Sequence, residues 1–200
     1  AFWGLTGADR ELEYIKYNYS GIEQENKLNY AINKHDKFEF NKLDLDIKLK
    51  YDLISEVEYR LKLNDLMFQN KKKTKQQYNI DNFTINYEFN LIDEEEYEYG
   101  VNEEKYKNKK ESHEYKLAKI NLDKKYNHIT VKDYDYQVND IINQPSTYEW
   151  QKNKIDLDLQ YGSINQQQYA KSLCTIQGEP YFAVINGRFD TTDEDSIGTG

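Results

Sequence analysis

Residues 161–169 read Tyr161-Gly162-Ser163-Ile164-Asn165-Gln166-Gln167-Gln168-Tyr169. This is the layout of a turn running into a capped helix. Asn165 is suited to accept from an orphan backbone N–H of the first helical turn, and Gln168, three residues on, is suited to reach back to the Asn165 N–H. The layout recurs upstream when the chain is aligned on Ile54, Ile92, Ile129 and Ile164, at spacings of 38, 37 and 35 residues. An aromatic stands three residues before each anchor (Tyr51, Phe89, Tyr126, Tyr161) and a tyrosine five residues after it (Tyr59, Tyr97, Tyr134, Tyr169). The residue after each anchor is Ser55, Asp93, Thr130 or Asn165, followed three positions later by Glu58, Glu96, Asp133 or Gln168. Each copy is therefore expected to start a helix at that point. A fixed period of this length marks a repeat architecture.

Beyond each cap, apolar residues recur at i, i+4 and i+7: Tyr59, Leu63 and Leu66; Tyr134, Val138 and Ile141; Tyr169, Leu173 and Ile176. That spacing makes one stripe on a helix. The second copy is weaker, with Tyr97 and Val101 followed by Glu104. The eight aromatics at the two fixed offsets (Tyr51, Tyr59, Phe89, Tyr97, Tyr126, Tyr134, Tyr161 and Tyr169) are expected to form the core of the repeat.

The segments before the anchors fit two descriptions. Leu45, Ile47, Leu49 and Tyr51 alternate, as do Phe83, Ile85, Tyr87 and Phe89, and Ile155, Leu157, Leu159 and Tyr161, which is the period of a strand. The same residues form i, i+4 pairs that suit a helix touching neighbours on two sides. The third copy favours helix, because Ala118, Leu122 and Tyr126 share a helical face while Lys124 breaks the alternation. The expected fold is thus mainly α, a tandem array of helical hairpins, with α+β (a strand before each capped helix) as the alternative.

An earlier stretch, Leu12 to Ile32, reads as a degenerate fifth copy with Tyr19 three before Ile22, Glu23 at the cap position and Lys27 where the tyrosine belongs. The expected organisation is a degenerate N-terminal repeat over 1–37, four hairpins over 38–177, and a distinct segment over 178–200. In that last segment Gly178 and Pro180 stop the helix. Tyr181-Phe182-Ala183-Val184-Ile185 reads as a strand before an Asn186-Gly187 turn. Tyr181, Phe182, Val184 and Ile185 are candidate protein-binding residues, with the strand's backbone partner expected from another chain in preference to Arg188-Phe189.

Composition restricts the function classes. Only 38% of the 200 residues are apolar and mean hydropathy is -1.02, but 19 Tyr and 8 Phe bring large contact areas with hydroxyls that stay wet at an interface edge. Such a chain suits a thin, quasi-linear core. A formal net charge of -9 disfavours a broad phosphate-binding surface, so nucleic acid is disfavoured as a partner. The basic run Lys71-Lys72-Lys73-Thr74-Lys75 reads as a solvated linker between repeats. A single cysteine, Cys174, excludes an internal disulfide framework. No window has the length and apolarity of a membrane span, and the N-terminal stretch lacks the pattern of a signal peptide.

The repeated pattern resembles the short helical hairpins of SHOCT-type domains, modules associated with interaction or oligomerisation and without catalytic residues to transfer. Together with the Gly178-Glu179-Pro180-Tyr181 segment it also resembles proteins of tailed bacteriophages with AT-rich genomes. That resemblance implies a setting in the virion or the host cytoplasm.

Catalytic and metal motifs are not found. There is no phosphate-binding glycine loop, no Walker lysine and no zinc-spaced Cys/His set. His35, His113 and His128 stand far apart, and Asp190, Asp193 and Asp195 lack the glycine and glutamate of a calcium loop. No cofactor and no enzymatic activity are expected. The leading expectation is a structural or assembly protein that binds other proteins, such as virion subunits, through aromatic-rich repeats. The competing one is an acidic inhibitor that fills a basic nucleic-acid-binding groove of a host protein.

Overall fold

The computed structural model describes residues 6–179 and the backbone of two short strands, 182–185 and 188–191. The described helices are α1 (Gly7–Asn18), α2 (Gly21–Asn33), α3 (Lys37–Lys50), α4 (Glu56–Gln69), α5 (Lys75–Glu88), α6 (Glu94–Lys105), α7 (His113–Lys125), α8 (Val131–Ile142), α9 (Tyr148–Gln160) and α10 (Gln166–Gln177). The segments before the anchors are therefore helices, α3, α5, α7 and α9. Two compact units divide the chain: Ala1–Lys105, holding α1 to α6, and Tyr106–Gly200, holding α7 to α10 and the strands. Within each unit the extensive helix packing is between helices consecutive in sequence.

That packing explains the ambiguous alternation. In α3, Leu45 and Ile47 are both buried although two residues apart, which places them on nearly opposite sides of a helix. The helix is packed against α2 and also against α4, so both sides need apolar cover. A strand-like period here records a helix with two neighbours.

The turn inside each hairpin is built the same way four times. After the aromatic C-cap, Asp52, Asn90, Asn127 and Gly162 adopt left-handed φ values of 55°, 56°, 60° and 72°. The next N–H closes a six-residue ring onto the helix: Leu53 N–H to Lys48 O, Leu91 to Asn86, His128 to Asp123 and Ser163 to Asp158. This is the Schellman ending, which favours Gly and Asn because a Cβ is tolerated there at a cost. The following helix then starts where the caps were expected. Ser55, Asp93, Thr130 and Asn165 accept from the N–H of Glu58, Glu96, Asp133 and Gln168, and at Asn165 the reciprocal bond from its own N–H to Gln168 Oε1 completes the capping box.

The first copy is a hairpin, in a register shifted by three residues from the one expected. Ser20, and not Glu23, is the N-cap of α2. Only two residues, Tyr19 and Ser20, join α1 to α2, whereas five, 51–55, join α3 to α4. The Schellman turn is absent from this copy, since the C-cap Tyr19 is extended, and the alignment on Ile22 slips by that missing length.

The expected aromatic core is corrected in degree. All eight aromatics at the two offsets are half-buried. The buried apolar residues of the described region are smaller: Ile15, Leu45, Ile47, Leu66, Ile85, Ile120 and Ile155, with Tyr115 the one buried aromatic. In a thin array, residues between helix axes are enclosed by neighbours, while a tyrosine at the hairpin edge keeps its hydroxyl near water. Phe83 is the large variant at the Leu45/Ile120/Ile155 place. It fits because Gly100 faces it across the hairpin, where an added Cβ would lie 2.3 Å from the Phe83 ring.

At the C-terminal end, β1 (Phe182–Ile185) pairs antiparallel with β2 (Arg188–Thr191), Phe182 opposite Thr191 and Ile185 opposite Arg188. One edge of β1 is thus paired within the chain, by the Arg188–Thr191 segment. Closing a hairpin within one chain carries a small loop-entropy cost. Tyr181 lies outside the described residues, as do Asp193, Asp195 and the side chains of both strands.

Candidate interaction surfaces

The polar contacts of the array repeat as regularly as its turns. The tyrosine five residues after the anchor donates its Oη–H to a side chain thirteen residues earlier: Tyr59 to Asp46 at 2.6 Å, Tyr134 to Asn121 at 2.7 Å and Tyr169 to Asp156 at 2.8 Å. The hydrogen bond from Tyr59 to Asp46, with burial added, pushes the phenol up to about 12. In the second copy Thr84 takes the acceptor place but bonds Ile80 O, and Tyr97 instead stacks on Tyr87 at 4.7 Å.

A second column was not anticipated from the sequence. Asn64, Asn102 and Asn139 stand ten residues after their anchors, and Asn29 ten after Tyr19. All four are buried, Asn29 at 2% exposure. Three of them donate Nδ2–H to a main-chain carbonyl of the following hairpin: Asn29 to Phe40 O at 2.9 Å, Asn64 to Tyr78 O at 2.9 Å and Asn139 to Trp150 O at 3.0 Å. Asn102 Nδ2 has no partner among the described residues.

The residue after the asparagine matches the aromatic it faces. Asp65 accepts from Tyr78 Oη–H at 2.7 Å and Asp140 from Trp150 Nε1–H at 2.8 Å, whereas Phe40, which has no donor, faces a hairpin whose Asn29 is followed by Tyr30. Backbone and side chain of one residue are thus held by an Asn–Asp pair from the preceding hairpin. The last copy has Cys174-Thr175 at these places, after which no further helical hairpin is described. The sequence signal was present as a recurring Asn followed by an acid, and as aromatics at Phe40, Tyr78, Tyr115 and Trp150. Polar residues in the middle of an apolar stripe are easily read as its solvent face.

Beside this clasp runs a groove that is found in both units. Between α4 and α5, with Lys42 of α3 at its margin, a cavity of about 460 Å³ is lined by Arg60, Leu63, Asn64, Met67, Lys73, Asp81 and Ile85. Between α8 and α9 the equivalent positions, Asp135, Val138, Asn139, Ile142 and Leu157, line a cavity of about 400 Å³. Arg60 pairs with Glu88 and lies over the Phe89 ring at 5.6 Å. Its counterpart Asp135 accepts from Tyr161 Oη–H. Tyr136 returns the contact by donating to Asp158 at 2.5 Å. Burial, followed by that hydrogen bond, raises the Tyr136 phenol; burial pushes Asp158 upward, but hydrogen bonds from Tyr136 and Lys154 outweigh it and hold the carboxyl low.

The Lys71–Lys75 run is less of a free linker than expected. Lys72 lies over the Phe38 ring at 4.6 Å, Lys75 over Tyr78 at 4.6 Å, and Lys73 donates to Asn64 Oδ1 and pairs with Asp81 at 2.6 Å.

The α1–α2 hairpin presents a third surface. Tyr14, Ile15, Tyr19, Ile22 and Tyr30 line a cavity of about 690 Å³, with Lys27 over the Tyr19 ring at 4.4 Å. Tyr14, Tyr17, Tyr30 and Ile32 of this hairpin are exposed, Tyr17 at 84%.

Among the described residues no cluster of His, Cys, Asp and Glu is arranged to hold a metal ion, and no helix is long and apolar enough to cross a membrane. Cys174 is a half-buried free thiol. Comparison with protein-family models, curated protein sequences and solved structures gives no match to this chain.

Proposed function

We propose that the chain is a non-enzymatic assembly protein whose helical hairpins present aromatic-rich surfaces to other proteins, with a bacteriophage particle as the setting that the sequence resemblance suggests. The supporting observation is the α1–α2 hairpin, which exposes Tyr14, Tyr17, Tyr30 and Ile32 and whose Tyr14 and Tyr30 line an aromatic groove. Exposed aromatics that combine apolar area with a hydroxyl are the side chains that anchor protein interfaces. The β1–β2 hairpin carrying Phe182, Val184 and Ile185 belongs to the same proposal, since a two-stranded sheet keeps unpaired outer backbone edges.

The test places a photo-crosslinking amino acid at Tyr14, at Tyr30 and, as a control, at the exposed Lys119, in cells of the source organism. One dominant protein adduct at the two tyrosines, absent from Lys119 and weakened by Tyr17→Ser, is the expected result. Equal adducts at all sites, or none, overturn the reading. Mass spectrometry of purified particles then reports whether chain and partner are components.

The acidic-inhibitor reading draws on α6, which carries six glutamates in twelve residues. An electrostatic mimic loses its partner steeply as salt rises, whereas an aromatic-anchored contact persists. Salt dependence of the crosslinked complex separates the two.

A further inference from the structure

We infer that the groove between α4 and α5 is a docking site for a short acidic segment of a partner protein, one that carries an aliphatic side chain among its carboxylates. The groove itself follows from the repeat, because the equivalent positions of α8 and α9 make one of nearly the same size. Its charge does not follow from the repeat. Lys42, Arg60 and Lys73 line the α4–α5 groove against one acid, Asp81, whereas Asp135 and Asp156 line the other without a cation. In a chain of net charge -9, three cations gathered at one groove run against the mean field.

Their present partners leave capacity for a ligand. Lys42 is half-buried, and its ammonium has neither a hydrogen bond nor an ion pair among the described residues. An arriving carboxylate would give that ammonium an ion pair which the described residues do not supply. Arg60 gives Nη1 to Glu88, and its side chain is 35% exposed, so other guanidinium N–H groups remain for a second acceptor. Lys73 is engaged with Asn64 and Asp81 and acts as the fixed wall.

The floor decides between a peptide and a simple anion. Leu63, Met67 and Ile85 line the same groove as the cations, and Met adapts to ligand shape. A phosphate would leave this apolar floor uncovered. An acidic peptide with an aliphatic residue covers floor and walls together, and the cavity of about 460 Å³ accommodates a few side chains.

The experiment pans a displayed random dodecapeptide library against the full chain, then measures the selected peptide by fluorescence anisotropy. The expected peptides share acids flanking Leu, Ile or Met. Lys42→Glu should weaken them about ten-fold or more, Lys42→Arg should retain binding, and Asp135→Asn in the equivalent groove should change nothing, with helical content unaltered throughout. Selected peptides without acidic bias, insensitivity to Lys42→Glu, or displacement by millimolar inorganic phosphate would each overturn the proposal. Because Lys42 lies outside the α1–α2 hairpin, failure here leaves the crosslinking result at Tyr14 and Tyr30 untouched.

Discussion

The α4–α5 and α8–α9 contacts are the same piece of structure executed twice with different chemistry. Both are built by the second helix of one hairpin meeting the first helix of the next, both are held by a buried asparagine on a carbonyl, and both leave a groove beside that bond. At the sixth residue after the anchor one has Arg60, answered by Glu88 and Phe89, and the other Asp135, answered by Tyr161. The main-chain contact is retained while the groove wall changes sign. In this architecture the asparagine fixes how hairpins stack, and the neighbouring positions are free to specify what the surface attracts.

The largest expected effect tests whether the two groove floors are equally important. Ile85, at 5% exposure, and the half-buried Leu157 occupy the same repeat position. Ile85→Ala should cost about 2–5 kcal/mol in urea unfolding, with Leu157→Ala distinctly less. Equal losses would show that exposure does not distinguish the two units.

Next come the asparagines. Asn64→Ala and Asn139→Ala should each cost about 1–3 kcal/mol, since each removes a buried side-chain hydrogen bond that ties one hairpin to a helical carbonyl of the next. If Asn139→Ala is neutral while Asn64→Ala is not, the clasp is a property of the first unit and not of the repeat. Caps give a smaller, more uniform effect: Ser55→Ala and Thr130→Ala should each cost about 1 kcal/mol by the same measurement.

Proton linkage sharpens the contrast at its weakest end. Asp158 is held below its ordinary value, so its contribution in the second unit is present above pH 3.8 and is lost as pH falls through the folded value. Lys154→Met should shrink that acid-side loss in a pH titration of stability. Tyr59, in the first unit, is raised from 10.0 to about 12, so its contribution is complete below pH 10.0 and disappears as pH rises towards 12. Tyr59→Phe should flatten that alkaline limb, and an unchanged limb would assign alkaline unfolding to other groups.

Reading the sequence located the hairpins through their local chemistry. Ser55, Thr130 and Asn165 mark helix starts because a cap satisfies backbone N–H groups within three residues. The left-handed positions Asp52, Asn90, Asn127 and Gly162 were equally legible in residue type, and missing them allowed the three-residue slip in the first copy. The candidate grooves were not legible, because each draws residues from separate helices and its charge depends on which faces meet.

The sequence by itself determined where helices begin, where they turn and that the unit repeats, since these depend on hydrogen bonds spanning a few residues. Only the tertiary structure decided which faces are enclosed. It made an alternating segment a helix between two neighbours, left the conspicuous tyrosines half-buried, and buried the unremarked asparagines. Burial of a side chain is set by the element packed against it, and a main-chain carbonyl eleven to fourteen residues away can make a polar residue belong to the core.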